Sequence, residues 1–220
     1  MRTQPAAMAA MAAASVLLSE RILRPSYETW GATRTEVLAR LPGDDIVRRP
    51  NRTSTRAVTI DAPPDSVWPW LVQMGHARSG LYSYDWLENL VGCQITSADR
   101  IVPEHQDLNE GDLIRMGPEG YPTFRVLDIQ RPHDLVLVSA DSMSGLSTIN
   151  ATNSYGATWQ WALRPITGGT RLISRQRLSY PASQTPMWAI VQPIAFVMER
   201  KMLLGIQRRV SRQALQIGGR

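Results

Sequence analysis

The feature that most constrains this chain is its second half, where a succession of strand-like runs closes on one long helical segment. Thr185 and Pro186 open that segment, which continues to about Gln216 with one internal proline, Pro193. A helix of roughly 30 residues is about 45 Å long. An antiparallel sheet made from consecutive strands must cover one of its faces, and no other element here is long enough to do so. The pattern predicts an α+β fold in which a long C-terminal helix lies in a curved antiparallel sheet.

The other elements follow in order. Ala57 to Ile60 is β-prone and stops at Asp61, Ala62, Pro63 and Pro64. Val67, Trp68, Leu71, Val72 and Met74 recur at helical spacing, and with Asp65 as N-cap, Pro69 falls at the edge of the first turn. After a loop from His76 to Tyr82, Trp86, Leu87, Leu90 and Val91 define the apolar face of a second short helix, ended by Gly92. Strands are expected at Leu113 to Met116, Thr123 to Ile129, Asp134 to Ala140, Gly156 to Pro165 and Arg171 to Leu178. Gly168 and Gly169 give the last turn its permissive backbone. Residues 19 to 53 are polar and proline-bearing, with one short helix expected around Thr33 to Leu41. The chain therefore divides into an N-terminal apolar run and extended arm over 1–53 and a folded domain over 54–218.

Composition excludes more than it selects. At 220 residues the chain buries a core without staples, and its single cysteine, Cys93, makes no internal disulfide. Seven Trp and six Tyr stand against two Phe, a bias suited to pocket walls that end in a polar handle. Lys201 is the only lysine, and the net charge of +5 rests on arginine, which a GC-rich coding sequence also produces. Residues 6 to 18 form an uncharged apolar run, too short to span a bilayer and without a clean cleavage site after it. It is a plain extension, an interfacial anchor or an export signal. A cytoplasmic protein, membrane-associated if the run is an anchor, is the expectation.

Ala62-Pro63 followed by Val67-Trp68 and Leu71, the Gly111-Asp112 strand entry and the C-terminal helix together resemble the START/Bet v 1-like helix-grip superfamily. More narrowly, Trp68 to Asn89 resembles bacterial polyketide cyclase/dehydrase-like (SRPBCC) proteins. Trp30-Gly31-Ala32-Thr33 and Leu41-Pro42-Gly43-Asp44 are similar to the segment those proteins carry upstream. The resemblance implies a hydrophobic cavity between sheet and long helix. It implies no single reaction, because the superfamily mixes carriers, receptors and cyclases.

Strand alternation places Trp159, Trp161 and Leu163 on one face, expected to point inward. In the last strand Arg171, Arg175 and Arg177 share the opposite face from Leu172, Ser174, Gln176 and Leu178. Three arginines want water, so Ser174 and Gln176 turn inward, where they either line a cavity or find partners in a filled core. The candidate ligand-binding residues are Trp70, Met74, Tyr82, Tyr84, Trp86, Trp159, Trp161, Ser174, Gln176 and Trp188. For catalysis, Arg78 is a candidate for meeting a carboxylate, phosphate or enolate, and Tyr84 and Asp85 for moving a proton. The alternative is structural: Asp85 and Glu88 complement a helix N-terminus and Arg78 pairs with them.

His76, His105 and His133 are isolated, so no metal is expected, and Gly75 to Gly80 lacks the Lys and Ser/Thr of a phosphate loop. Hydrolase-elbow and dinucleotide motifs are missing too, so no cofactor is expected. Met187 to Met198 is apolar and Glu199 to Arg212 basic and amphipathic. This predicts a helix buried by the sheet first and solvated at its end, or a basic end that touches anionic lipid together with the N-terminal run. Nucleic acid is not expected, since the tryptophans belong inside. The leading expectation is a non-covalent carrier or sensor for a small hydrophobic or amphipathic molecule. A cyclase or dehydratase acting on a cavity-bound substrate and a membrane-surface interaction protein are the alternatives.

Overall fold

A computed structural model describes residues 23–141, 143–149 and 155–218; the apolar run at 6–18 lies outside the described residues. The elements are α1 (described over 23–28), α2 (Arg34–Leu38), β1 (Arg52–Ile60), α3 (Pro64–Val72), α4 (Asp85–Leu90), β2 (Leu113–Arg115), β3 (Thr123–Gln130), β4 (Asp134–Ala140), β5 (Gly156–Ile166), β6 (Gly169–Ser179) and α5 (Thr185–Gly218). The strands form one curved antiparallel sheet in the order β1-β6-β5-β4-β3-β2. Five consecutive strands, β2 to β6, are neighbours in the sheet, and β1 pairs with β6, so that among the described residues no further strand pairs with its other edge.

Register fixes the two faces of the sheet. Leu137, Trp159, Gln176 and Ser54 stand side by side across four strands, and Leu135, Trp161, Ser174 and Arg56 form the next row. This is the inner face. The C-terminal helix lies in its curve, burying Met202, Leu203, Ile206 and Val210, while the Gln207 amide donates to the Thr59 carbonyl of β1 (2.7 Å). The arrangement is a helix-grip fold.

Three local expectations are corrected. Helix α3 begins at Pro64 with Pro63 as a cap that makes no side-chain hydrogen bond, so Asp65 lies inside the first turn and Pro69 inside the helix. Helix α4 is inverted: Trp86, Leu90 and Val91 are exposed, and Glu88 is buried. A six-residue helix sits where its flanks hold it, and here Asp85 accepts from the Ser97 backbone N–H (2.7 Å) and hydroxyl (2.6 Å) while Asn89 clamps the Ile95 backbone. The burial of α5 also runs opposite to expectation. Met187, Ile190, Ile194 and Val197 are exposed in its apolar first half, whereas the second half supplies the buried stripe.

The arginine face of β6 is not in water. The N-terminal arm crosses the outer surface and closes over it. Arg175, only 2% exposed, donates to the Glu36, Val37 and Ala39 carbonyls at the end of α2, to Thr55 and to the Asp44 carboxylate (2.7 Å). Those carbonyls have no partner within their own short helix, and a guanidinium has five donors to offer. Arg171 pairs bidentately with Glu36, and Arg177 donates to the Val47 carbonyl. Gln160, on the same outer face, donates to Pro42 O and Asp44. Around these pairs Leu41, Ala57, Ala162 and Ile173 form a second, smaller apolar core. Among the described residues no helix is long and apolar enough to cross a membrane.

A candidate ligand cavity between the sheet and the C-terminal helix

Between the inner sheet face and the first half of α5 lies a cavity of about 630 Å³. Strands β3 to β6 contribute Phe124, Ser139, Ala157, Trp159, Gln176 and Leu178, and α5 contributes Trp188, Gln192, Ala195, Met198, Glu199 and Met202. Leu81, Glu88 and Met116 close another side. The walls are mainly apolar. Alternation puts Trp159 inward, where it packs on Phe124 (centroids 5.5 Å apart) and Trp161 (4.9 Å), and Trp188 stacks on Tyr180 (5.4 Å).

Two carboxyls face this space and differ in their surroundings. Glu199 forms an ion pair with Arg56, both nearly inaccessible to solvent. It also accepts from the Ser174 hydroxyl (2.6 Å) and the Gln176 amide (3.2 Å), and Ser174 in turn accepts from the Trp159 indole N–H (2.8 Å). Arg56 donates as well to the Tyr27 carbonyl of the arm (2.8 Å). Glu199 is therefore a charge already matched.

Glu88 is 6% exposed, and its Oε2 has no hydrogen-bond partner among the described residues. Burial, with the nearby Asp85 charge adding to it, pushes the Glu88 carboxyl up to about 7. Such a group exchanges a proton near neutral pH.

The sequence-derived candidates separate into three places. Trp159, Gln176 and Trp188 line the cavity, with Ser174 directly behind its wall. Trp70, Met74, Tyr82 and Trp161 are buried in the packed core, where the Trp70 indole donates to Gln213 (3.1 Å) and its ring meets Tyr82 edge-on (5.8 Å). Tyr84 and Trp86 lie on the outside, in a shallow depression beside Lys201 and Arg208. The three catalytic candidates do not meet at the cavity: Arg78 donates to the Val72 (3.0 Å) and His105 (2.6 Å) carbonyls, and Asp85 is held by Ser97.

Sequence reasoning missed Glu88, Glu199, Phe124 and Gln192. For Glu199 a signal existed, because Arg56 alternates with Val58 and Ile60 on an inward strand face and needs a carboxylate opposite. For Glu88 none existed, since its helix reads as amphipathic with that residue outside. Among the described residues no group of three or more His, Cys, Asp or Glu side chains could hold a metal.

Fold and cavity together define a helix-grip protein with an interior space. No protein-family model and no curated protein matches the sequence. Similar solved structures include a Nitrosomonas europaea protein (12% identity, TM-score 0.46, covering 73% of this chain and 95% of the other). A Mesorhizobium loti protein is 15% identical (TM-score 0.43, covering 73% and 98%). The Aha1 dimer from Colwellia psychrerythraea is 14% identical (TM-score 0.39, covering 71% and 98%).

Proposed function

We propose that the protein binds a small hydrophobic or amphipathic molecule non-covalently in this cavity, as a carrier or sensor. The observation that carries the reading is an apolar space of about 630 Å³ bounded by few, fixed polar groups. That volume is within the range of about 300–1,000 Å³ typical of small-molecule sites, and polar groups of this kind set a ligand's orientation. Glu88 favours a second reading. A carboxyl that titrates at about 7 inside the wall suits proton transfer, so a cyclase or dehydratase would use Glu88 rather than Arg78, Tyr84 or Asp85.

Titration of the tryptophan fluorescence with dodecanol, a sterol and an aromatic polyketide tests binding, since Trp159 and Trp188 stand in the wall. At least one class is expected to give a saturable one-to-one change. Ala157→Phe, which fills the space from β5, is expected to weaken that binding at least tenfold. No saturable change with any class would overturn the proposal.

A further inference from the structure

We infer that the cavity is built for a hydrophobic amine, with the protonated nitrogen against the Glu88 carboxyl and the apolar body between Trp159, Phe124 and the C-terminal helix. The inference rests on the cavity being a ligand site and adds the chemical class of the ligand. Its first support is the sign of the wall. Two carboxyls line the cavity and, among the described residues, no lysine, arginine or histidine does. A fatty acid or other anionic headgroup entering here meets the Glu88 carboxyl and a Glu199 already paired with Arg56, and no cation in the lining.

The second support is the difference between the two carboxyls. Arg56, Ser174 and Gln176 already satisfy Glu199. Glu88 is more than nine-tenths buried, with Oε2 unpartnered. An ammonium carries three N–H donors and makes charge-assisted bonds to a carboxylate, so it supplies what the site lacks. The third support is aromatic. Trp159, Phe124, Tyr180 and Trp188 line the same space, and ring faces attract a cation.

The charged and titratable groups around Glu88 are accounted for. Asp85, one turn earlier, is tied to Ser97. Cys93 carries a thiol pushed up by burial and by Glu88 itself. On α5, Glu199 is matched by Arg56, and the Lys201 ammonium lies over the Tyr84 ring (5.1 Å), outside the cavity lining. With Glu88 titrating at about 7 and an alkylamine protonated well above that, the complementary pair of charges forms as pH rises through neutrality.

The test compares three probes with one tail, dodecylamine, dodecanol and dodecanoate, against the full chain by fluorescence or calorimetry. Dodecylamine is expected to bind at least tenfold tighter than dodecanol at pH 8, with dodecanoate weakest. Its Kd is expected to fall about tenfold between pH 6 and pH 8, following ionisation at about 7. Glu88→Gln is expected to abolish both the amine preference and the pH dependence while dodecanol affinity persists, which also shows that the variant's cavity is intact. An amine that binds no better than the alcohol, or a preference that survives in Glu88→Gln, overturns the inference and leaves the cavity reading standing. Binding of none of the three overturns the inference, and the cavity reading falls with it only if the sterol and the polyketide also give no saturable change.

Discussion

Arg56 and Glu199 face each other across the interior, one from β1 and one from α5, and each makes sense only with the other present. Removing one partner of such a pair leaves a buried charge uncompensated, which costs about 3–5 kcal/mol. Glu199→Ala is expected to lose that much by chemical denaturation. The double variant Arg56→Met with Glu199→Leu is expected to recover most of it, because neither charge then has to be desolvated. Glu88 makes the opposite prediction. Its pKa is raised from 4.5 to about 7 on folding, so the folded state holds the proton more tightly than the unfolded chain. The neutral form carries no penalty below about pH 4.5, and stability is lost as pH rises through 7. Glu88→Gln is therefore expected to gain thermal stability relative to the unsubstituted chain at pH 8 and to match it at pH 4.5. A melting difference that did not grow with pH would contradict the burial of this carboxyl. Arg56 on an inward strand face signals that a carboxylate stands opposite, but choosing Glu199 for it takes a contact 143 residues apart, and Glu88 gave no signal because its orientation is set by what Asp85 and Asn89 hold.

Strands β2 to β6 were legible to within two residues at either end, because period-two alternation and the intervening turns are local signals, whereas only Ala57 to Ile60 of β1 was, since its first five residues, Arg52 to Arg56, are all polar. Helix α4 was not, since its apolar residues follow the helical period without being covered. Trp86→Gln and Leu90→Lys, both at exposed positions, are expected to change unfolding free energy by less than about 0.5 kcal/mol. The outer face of β6 reads as solvated for a related reason: arginines at strand positions 171, 175 and 177 signal water unless something distant supplies acceptors, and α2 with Asp44 does. The arm's grip depends on one close crossing. The Trp30 carbonyl accepts from the Ala57 N–H at the outer edge of β1, and a Cβ on Gly31, at φ +71, would come within 2.1 Å of the Ala57 carbonyl oxygen. Gly31→Ala is expected to lose about 2 kcal/mol or more and to make residues 34–47 sensitive to limited proteolysis. An unchanged digestion pattern would mean that the arm does not depend on this crossing.

At the scale of the whole molecule, cavity and stability are linked. The Arg56–Glu199 pair ties sheet to helix directly beside the space, and the arm reinforces it through the Tyr27 carbonyl and the packing of Tyr27 on Phe196 (5.9 Å). A ligand that enters binds the folded chain and not the unfolded one, because the wall brings together strands and a helix far apart in sequence. At a concentration 100-fold above Kd it therefore adds about 2.7 kcal/mol. For a chain of this size each kcal/mol raises the midpoint by about 2–4 °C, giving an expected rise of roughly 5–11 °C. Ala157→Phe separates this from any general effect of an amphiphile on the surface. The ring occupies part of the space from within β5, so the variant is expected to start at or near the unliganded midpoint of the parent and to gain less than half of the parent's rise at the same ligand concentration. Equal rises in both proteins would place the bound molecule on the exposed apolar face of α5, at Ile190, Ile194 and Val197, and not in the cavity.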